Sequence, residues 1–209
     1  MSQLNVRQKL DKKGLEILLE KCEGYREPKI ELEQYITPSH IAAEIVWLAY
    51  LKGDVEDRRV YDFGCGTGRL AIGCALMGAK EVTGFDTDEN ALSISRENAA
   101  RFSLEIRFVK ADIKDIKGEC DTVIQNPPFG VRRKEADREF LDKALEMGKV
   151  VYSMHKAATR GFITNYVSKR GFLTELTSVE FPLPYSYAFH RKPVKSIGVD
   201  ILRMEKKDS

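Results

Sequence analysis

The chain has 209 residues, of which 43% are apolar and 32% are charged, and its net charge is +2. This length suits a single domain over residues 1–209, with a helical segment at 1–55 preceding a core at 56–209, and the small net charge excludes neither nucleic acid nor an acidic partner. The four cysteines form no CxxC pair, so we expect reduced thiols in a cytoplasmic protein and no metal site. The longest apolar run, IAAEIVWLAYL, contains Glu44 and is too short to cross a membrane.

Two helices are predicted before the core. Residues 4–22 have the apolar spacing of an amphipathic helix. After a loop, a second helix is predicted to run to Gly53, with Thr37 or Ser39 as its N-cap and Pro38 near its first turn.

Strands and helices then alternate along the chain. Five strands are predicted, at 58–64, 81–86, 104–112, 120–126 and 149–155. This alternation predicts parallel strands joined by right-handed crossovers. Two further strands, at about 172–181 and 196–204, have no helix between them and are expected to pair antiparallel. The expected fold is therefore a doubly wound, Rossmann-like α/β fold with a mostly parallel seven-stranded sheet and an antiparallel C-terminal strand pair.

A glycine-rich turn follows the first of these strands. In DFGCGTG, Gly64, Gly66 and Gly68 occupy alternate positions, and glycine lets the backbone turn tightly and approach a ligand closely. The spacing differs from the G-x-G-x-x-G dinucleotide fingerprint. It resembles the D-x-G-x-G-x-G turn of class I methyltransferases, which implies that Asp62 and these glycines contact S-adenosylmethionine.

Carboxylates end the next two strands. Asp86 lies about 20 residues beyond the turn, where an acid can accept hydrogen bonds from both ribose hydroxyls and disfavours a 2′-phosphate. Asp112 can accept from an adenine amino group, with Phe85 and Ile113 on either side of the base. Each acid alone is also explained as a solvated strand end or a helix cap, and Asp88 is a better cap candidate than Asp86. Their position at successive strand ends favours a cofactor site.

The fourth strand ends in Asn126, Pro127, Pro128 and Phe129, the predicted catalytic residues. This segment resembles the [DNS]-PP-[YFW] motif of methyltransferases that alkylate a planar nitrogen in a base or a glutamine amide. The Asn126 side-chain oxygen and the Pro127 carbonyl can hold the two hydrogens of an amine, and two prolines fix both acceptors before the substrate arrives. Phe129 offers a face on which a base can stack. No general base is assigned.

The segments that flank these motifs narrow the resemblance from a class of methyltransferases to one family. EPKIELEQYITPSHIAAEIV, NPPFG, VYSMHK and LPYSYAFHRK occur in the order and spacing of the methyltransferase-like protein five family. These are small archaeal and eukaryotic enzymes that form N6-methyladenosine in small-subunit ribosomal RNA. The resemblance covers nearly the whole chain and implies cofactor contacts by Gln34, Thr37, Gly64, Thr67, Arg69, Asp86, Asp112 and Ile113. The sequence departs from the family at Ile36, where some relatives have proline, and at Thr67, where others have cysteine.

Two basic stretches are consistent with an RNA partner. VRRKEADR follows the predicted active tip, and FHRKPVK lies between the last two strands. Contacts of this kind position a nucleic acid without reading its sequence. The candidate phosphate-binding residues are Arg132, Arg133, Lys134, His190, Arg191, Lys192 and Lys195.

A protein partner is also implied by the resemblance. Family members pair through a strand edge with a small zinc-containing activator protein. Residues 104–110 are expected to form an edge strand, with Leu104, Ile106 and Phe108 on one face, and this edge is the expected docking site.

Four other functions are considered. A protein glutamine N5-methyltransferase usually carries NPPY and a long N-terminal substrate domain, whereas here the motif is NPPF and only about 55 residues precede the first predicted strand. A DNA adenine methyltransferase usually adds a sizeable target-recognition domain. A non-catalytic nucleic-acid-binding module would not need Asp86, Asp112 and NPPF, and a nucleotide-dependent oxidoreductase would leave NPPF without a role.

Overall fold

A computed structural model of the chain describes residues 10–129, 136–183 and 195–207. In chain order the helices are α1 (Lys12–Glu20), α2 (Ser39–Leu51), α3 (Arg69–Leu76), α4 (Glu89–Arg101), α5 (Ala136–Met147) and α6 (Arg160–Ser168). The strands are β1 (Arg59–Phe63), β2 (Glu81–Asp86), β3 (Arg107–Lys110), β4 (Cys120–Gln125), β5 (Gly148–Lys156), β6 (Gly171–Leu183) and β7 (Lys195–Lys206). Single 3-10 turns occupy Ile30–Leu32, Ile113–Asp115 and Ala157–Thr159.

The strands form one seven-stranded sheet in the order β3-β2-β1-β4-β5-β7-β6. The first five pair in parallel, while β7 is antiparallel to both β5 and β6. The predicted fold class, the antiparallel C-terminal pair and the edge position of β3 are confirmed. The order reverses between β1 and β4, and in sheets of this kind ligands bind outside the carboxyl ends of the strands at such a reversal.

Two apolar clusters cover the two faces of the sheet because successive strand residues point to opposite faces. Val123 belongs to the cluster under α5 and α6, and its neighbour Ile124 belongs to the cluster under α1 to α4. No helix among the described residues is long and apolar enough to cross a membrane.

The predicted capping of α2 is wrong. Pro38 occupies the N-cap and contributes no side-chain hydrogen bond, and its carbonyl accepts the N–H groups of Ile41 and Ala42. Ser39 is the first helical residue, and the Thr37 hydroxyl is engaged elsewhere, as described below.

The third strand is shorter than predicted. It is paired only over Arg107–Lys110, because the preceding residues pack their apolar side chains against the core without forming ladder hydrogen bonds. The predicted facing of this segment is confirmed: Phe108 is buried, Leu104 and Ile106 are half-buried against the core, and Arg107 is exposed. The predicted helix at 4–22 is observed as the shorter α1, because the Asp11 side chain caps it and Lys21 ends it, while residues 4–9 lie outside the described part of the chain.

Candidate active site

One cleft runs along the carboxyl ends of β3, β2, β1 and β4. Neighbouring strands in a sheet are about 4.8 Å apart, so these four strand ends span about 14 Å. Thirteen of the predicted site residues line the cleft, namely Gln34, Thr37, Asp62, Gly64, Thr67, Arg69, Asp86, Asp112, Ile113, Asn126, Pro127, Pro128 and Phe129. The cleft therefore brings together Asp112, Asp86, the glycine turn and the NPPF segment, in the order of β3, β2, β1 and β4.

The glycine turn shapes the cleft at the end of β1. Gly66 has φ +54°, and a Cβ on this residue would lie 2.1 Å from the Tyr25 hydroxyl. Gly68 has φ +84° and is the N-cap of α3, where a Cβ would approach Ser95. These two glycines do not line the cleft, but only glycine fits both the positive φ and the close neighbours.

Asp86 lies at the end of β2 beside this turn. Its Oδ2 accepts the Gly66 N–H at 2.8 Å and its Oδ1 accepts the Asp88 N–H at 2.9 Å. Burial raises the pKa of Asp86 although these backbone hydrogen bonds favour the charged form. Each oxygen has a second lone pair, so the carboxylate can accept two hydroxyl donors in addition.

Asp62 lies at the end of β1 and is almost fully buried. Its Oδ2 accepts the Ala71 N–H at 2.9 Å, and its Oδ1 has no hydrogen-bond partner among the described residues. Burial, with a smaller contribution from the nearby Asp86 carboxylate, raises the pKa of Asp62 to about 8 although the Ala71 hydrogen bond favours the charged form. A buried oxygen without a partner is costly, so Asp62 fits a ligand that brings a positive or hydrogen-donating group.

The end of β3 contributes an acid and an apolar wall. Asp112 caps the 3-10 turn Ile113–Asp115 through a hydrogen bond from the Lys114 N–H to its Oδ1 at 3.1 Å. Its second oxygen accepts no hydrogen bond from the residues that the structure describes, so it can accept one from a donor in the cleft. Ile113 and Phe85 are buried and line the cleft beside Asp112. These two apolar side chains suit the flat ring of an adenine base.

Asn126 follows β4 at the point where the strand order reverses. Its Nδ2 donates to the Thr37 hydroxyl at 3.0 Å, and its Oδ1 is buried with no partner among the described residues. Phe129 is half-buried and meets the edge of Phe181 at a centroid distance of 6.0 Å. The Lys156 ammonium lies 5.7 Å from the centre of the Phe129 ring.

A segment that we call the strap, residues 22–38, forms one wall of the cleft. Arg69 holds both of its ends: the guanidinium donates to the Cys22 carbonyl at 2.9 Å and to the Thr37 carbonyl at 2.6 Å. Asn98 is fully buried and binds the first end as well, exchanging hydrogen bonds with the Glu23 backbone. These contacts fix the strap at both termini.

The middle of the strap is bound to the first turn of α4. Asp88 accepts hydrogen bonds from Lys29 Nζ at 2.8 Å and from Gln34 Nε2 at 2.7 Å, while it also caps α4 as predicted. The Gln34 Oε1 accepts the Lys29 N–H at 2.8 Å. The Gln34 amide therefore holds the shape of the strap in this structure, and its predicted contact with a cofactor remains a prediction.

Several residues of the site were not found by sequence reasoning. Tyr25 reaches the glycine turn, and burial, together with the acids around it, raises the pKa of its hydroxyl well above the usual value. Lys29 and Asn98, together with Asp88, which was predicted only as a helix cap, hold the strap through contacts between residues 54 to 75 positions apart. No local motif marks such contacts.

The predicted RNA-binding residues cannot be placed. Arg132, Arg133, Lys134, His190, Arg191 and Lys192 lie outside the described residues, and Lys195 is described only as the first residue of β7. His155, to which no catalytic role was assigned, is buried on β5, where its Nε2 lies 2.8 Å from the Ser153 hydroxyl.

The residues of the cleft fit S-adenosylmethionine. Across the strand ends they offer an acceptor beside an apolar slot at Asp112, two acceptor oxygens at Asp86 and, at Asp62, a buried acid with one oxygen that has no partner among the described residues. A nucleoside that carries an extended, positively charged amino-acid tail presents an adenine, ribose hydroxyls and an ammonium group in that order. The observation that carries this fit is the unpartnered Oδ1 of Asp62.

Comparisons with known proteins give the same assignment. The family described as "Methyltransferase small domain" matches residues 42–149. The chain is 40% identical over 200 residues to METTL5 of Danio rerio, an rRNA N6-adenosine-methyltransferase, and the match covers 91% of this chain and 97% of that protein. The crystal structure of a candidate RNA methyltransferase from Pyrococcus horikoshii superposes with a TM-score of 0.87 at 42% identity and covers 93% of this chain and 97% of that one.

The rival family matches a smaller part of the chain. The release factor glutamine methyltransferase of Deinococcus radiodurans is 39% identical over 92 residues, which cover 41% of this chain and 33% of that protein. The doubly wound sheet and the cleft along its strand ends thus define a class I methyltransferase that uses S-adenosylmethionine. Within this class, the chain belongs to the METTL5-like family of rRNA N6-adenosine methyltransferases.

Proposed function

We propose that the protein transfers the methyl group of S-adenosylmethionine to the N6 amine of an adenosine in small-subunit ribosomal RNA. The observation that supports this most directly is the Asn126 side chain. Its Oδ1 is buried in the cleft and has no partner in the part of the chain that the structure describes, at the strand end next to the glycine turn. An unpaired buried acceptor at that position fits a nitrogen that still carries hydrogens. The choice of ribosomal RNA and of adenosine as substrate comes from the names of the relatives that match most of the chain.

The cofactor is held by the residues at the first three strand ends. Asp112 accepts from the adenine amine between Phe85 and Ile113, Asp86 accepts from the ribose hydroxyls, and Asp62 faces the ammonium group. Gly64 and Thr67 line the turn that the cofactor follows, and Gln34 lies in the opposite wall. When bound, S-adenosylmethionine supplies a methyl group whose bond to a positively charged sulfur breaks as the acceptor nitrogen attacks.

The acceptor amine is held by the fourth strand end. The Asn126 Oδ1 and the Pro127 carbonyl each accept one amine hydrogen, which directs the nitrogen lone pair along the cleft towards the methyl group. Pro127 and Pro128 fix both acceptors before substrate binds, so little reorganisation accompanies the reaction. The proton leaves the alkylated nitrogen for solvent, and no side chain is needed as a base.

The target base must leave its stack to reach this site, at a cost of a few kcal/mol. The Phe129 ring supplies a surface on which the extruded base stacks, a contact typically worth about 1–3 kcal/mol. Lys156, whose ammonium lies 5.7 Å from the centre of the same ring, adds a positive charge beside it. The predicted phosphate contacts of the VRRK and FHRK stretches remain part of the proposal.

Methyl transfer from labelled S-adenosylmethionine tests the proposal. The purified protein is incubated with unmodified ribosomal RNA, with DNA and with a release factor, and the products are digested to nucleosides or peptides. We expect N6-methyladenosine in the small-subunit RNA, its loss in Asn126→Ala with cofactor binding retained, and normal activity in Asn165→Ala, an exposed asparagine of α6. Methylglutamine as the main product would overturn the proposal, and label only in the large-subunit RNA would overturn its choice of subunit.

The proposal includes a small zinc-containing activator protein that pairs with β3. This strand lies at the edge of the sheet, so one side of it carries no neighbouring strand among the described residues, and edges of this kind accept an added strand. Mixing the two purified proteins at micromolar concentration and separating them by size checks this part. Co-elution is expected, and separate peaks would remove the activator from the proposal.

A further inference from the structure

The Tyr25 hydroxyl lies against the glycine turn in the cofactor cleft. Tyr25 belongs to the strap and lines the cleft, and its hydroxyl oxygen lies only 2.1 Å from the position that a Cβ on Gly66 would occupy. The absence of a side chain at Gly66 therefore leaves room for the phenol. The proposed reaction gives this hydroxyl no role.

The hydroxyl forms no hydrogen bond with the residues that the structure describes. A polar group that is held away from water without a partner costs free energy, so such a group normally faces a ligand or an ordered water. Burial, with a further contribution from the Asp86 carboxylate, raises the pKa of the Tyr25 hydroxyl well above its usual value. The phenol therefore keeps its proton at any ordinary pH, and it can both donate and accept a hydrogen bond.

Gly66 places this hydroxyl beside Asp86. The Gly66 N–H donates to Asp86 Oδ2 at 2.8 Å, while the Tyr25 hydroxyl approaches the α-carbon of the same glycine. Of the acids around Tyr25, Asp86 has the largest effect on the pKa of its hydroxyl. The phenol and the Asp86 carboxylate therefore lie in the same part of the cleft, at the end of β2.

Ribose hydroxyls suit this pair of groups. Asp86 is expected to accept hydrogen bonds from both of them, and each ribose oxygen then keeps its lone pairs for a second bond. A phenol that holds its proton can donate to such an oxygen, and it can also accept from a ribose hydroxyl. The contact therefore does not depend on which of the two hydroxyl groups is the donor.

We infer that the Tyr25 hydroxyl binds the ribose of S-adenosylmethionine together with Asp86. The cofactor is then held between the end of β2 and the strap, so the strap contributes affinity as well as a wall. The inference rests on the part of the proposed function that places the ribose at Asp86. It is independent of the proposed RNA substrate, because the ribose contact needs only the cofactor.

Calorimetry with Tyr25→Phe tests the inference, because this variant removes one oxygen and keeps the ring. The ligands are S-adenosylhomocysteine, which remains after methyl transfer, and its 2′-deoxy and 3′-deoxy analogues. We expect Tyr25→Phe to raise the Kd for S-adenosylhomocysteine about fivefold, as loss of one neutral hydrogen bond implies, and the Kd for at least one deoxy analogue less than about twofold. A general disturbance of the fold would weaken all three ligands alike, and equal losses would overturn the inference.

A ligand without the amino-acid tail separates a contact with the ribose from a contact with the tail. 5′-Methylthioadenosine keeps the adenine, the ribose and the sulfur, so Tyr25→Phe should raise its Kd about fivefold as well. An unchanged Kd for this ligand would place the hydroxyl at the tail and overturn the inference. Tyr166→Phe is the control, because the Tyr166 hydroxyl bonds to Asp142 and does not line the cleft, and this variant should bind every ligand as wild type does.

Asp86→Asn distinguishes failure of the inference from failure of the proposed placement of the ribose. If Asp86 binds the ribose, the loss of affinity that Asp86→Asn causes shrinks with at least one deoxy analogue. A full loss with both analogues in Asp86→Asn and in Tyr25→Phe would show that the proposed placement is wrong, and the inference is overturned with it. A loss that shrinks for Asp86→Asn but not for Tyr25→Phe would overturn the inference alone, and a loss that shrinks for both variants supports it.

Discussion

Arg69 donates a 2.6 Å hydrogen bond to the backbone carbonyl of Thr37 from beneath the strap. The same guanidinium donates to the carbonyl of Cys22 at 2.9 Å, and its side chain is buried. Burial lowers the pKa of Arg69, yet arginine remains charged at any ordinary pH. A single buried cation therefore sets the distance between the two ends of the segment that walls the cofactor cleft.

Replacing Arg69 by methionine should loosen the strap. The change leaves two backbone carbonyls without their donor, so we expect the free energy of unfolding to fall by about 2 kcal/mol and the Kd for S-adenosylmethionine to rise about tenfold. Urea unfolding and calorimetry measure the two quantities. Arg96→Met is the control, because Arg96 pairs with Glu89 at the surface and such pairs contribute less than about 1 kcal/mol. Equal effects of both variants would contradict this role of Arg69.

The raised pKa of Asp62 predicts that the free energy of unfolding of the protein without cofactor depends on pH. Its folded pKa of about 8 lies above the value of 3.8 expected in the unfolded chain. The contribution of Asp62 to stability is therefore complete below the unfolded pKa and is lost as the pH rises through the folded one. Relative to Asp62→Asn, which keeps an acceptor for the Ala71 N–H, wild type should lose about 1.4 kcal/mol of unfolding free energy per pH unit between about pH 5 and 7. Parallel curves for the two proteins would show that Asp62 is ionised in the fold.

The lowered pKa of His155 predicts that the free energy of unfolding depends on pH in the opposite direction. Burial lowers its pKa from 6.5 to about 4, and the neutral ring can accept the Ser153 hydroxyl hydrogen, since that hydroxyl accepts from Gln125. Between these pKa values the unfolded chain binds a proton that the native protein does not. Acidification from pH 6.5 to pH 4 should thus cost wild type about 3 kcal/mol relative to His155→Gln, with no difference in slope above pH 7. Urea unfolding across this range is the measurement, and an equal slope in the variant below pH 6 would exclude His155 as the cause.

Much of the cleft could be predicted because its residues are marked by local patterns. The strand that ends at Asp86 and the strand that ends before Asn126 each have a short apolar run and a polar end, and in a parallel sheet such ends lie on one edge. The glycine turn is marked by its own spacing. The fold class and the line of acids therefore follow from residues that are neighbours in sequence.

The strap could not be predicted because its contacts are formed between distant residues. Asn98 looks like an ordinary helix residue until the fold brings Glu23, 75 positions away, against it. Thr37 was predicted as a possible helix cap, since a threonine before proline favours that role, but the hydroxyl bonds to Asn126 instead. A residue that can satisfy either a local or a distant partner is decided by the tertiary structure.

Phe129 provides the last prediction, which separates stacking from chemistry. The ring is half-buried between Phe181 and the Lys156 ammonium, and it follows directly after the two prolines. Phe129→Leu removes the flat surface and keeps most of the apolar volume, so we expect KM for the RNA to rise by about five- to a hundredfold, as loss of one base stack implies, and cofactor affinity to stay unchanged. Phe129→Tyr keeps a ring and should stay within about threefold of wild type, since stacking on either ring is similar. Phe172→Leu is the surface control, because this exposed phenylalanine is the second residue of β6 at the far edge of the sheet, where the protein should tolerate the change without loss of activity. If Phe129→Leu instead lowers kcat at saturating RNA and leaves KM unchanged, the ring acts on the positions of Asn126 and Pro127 and not on the base.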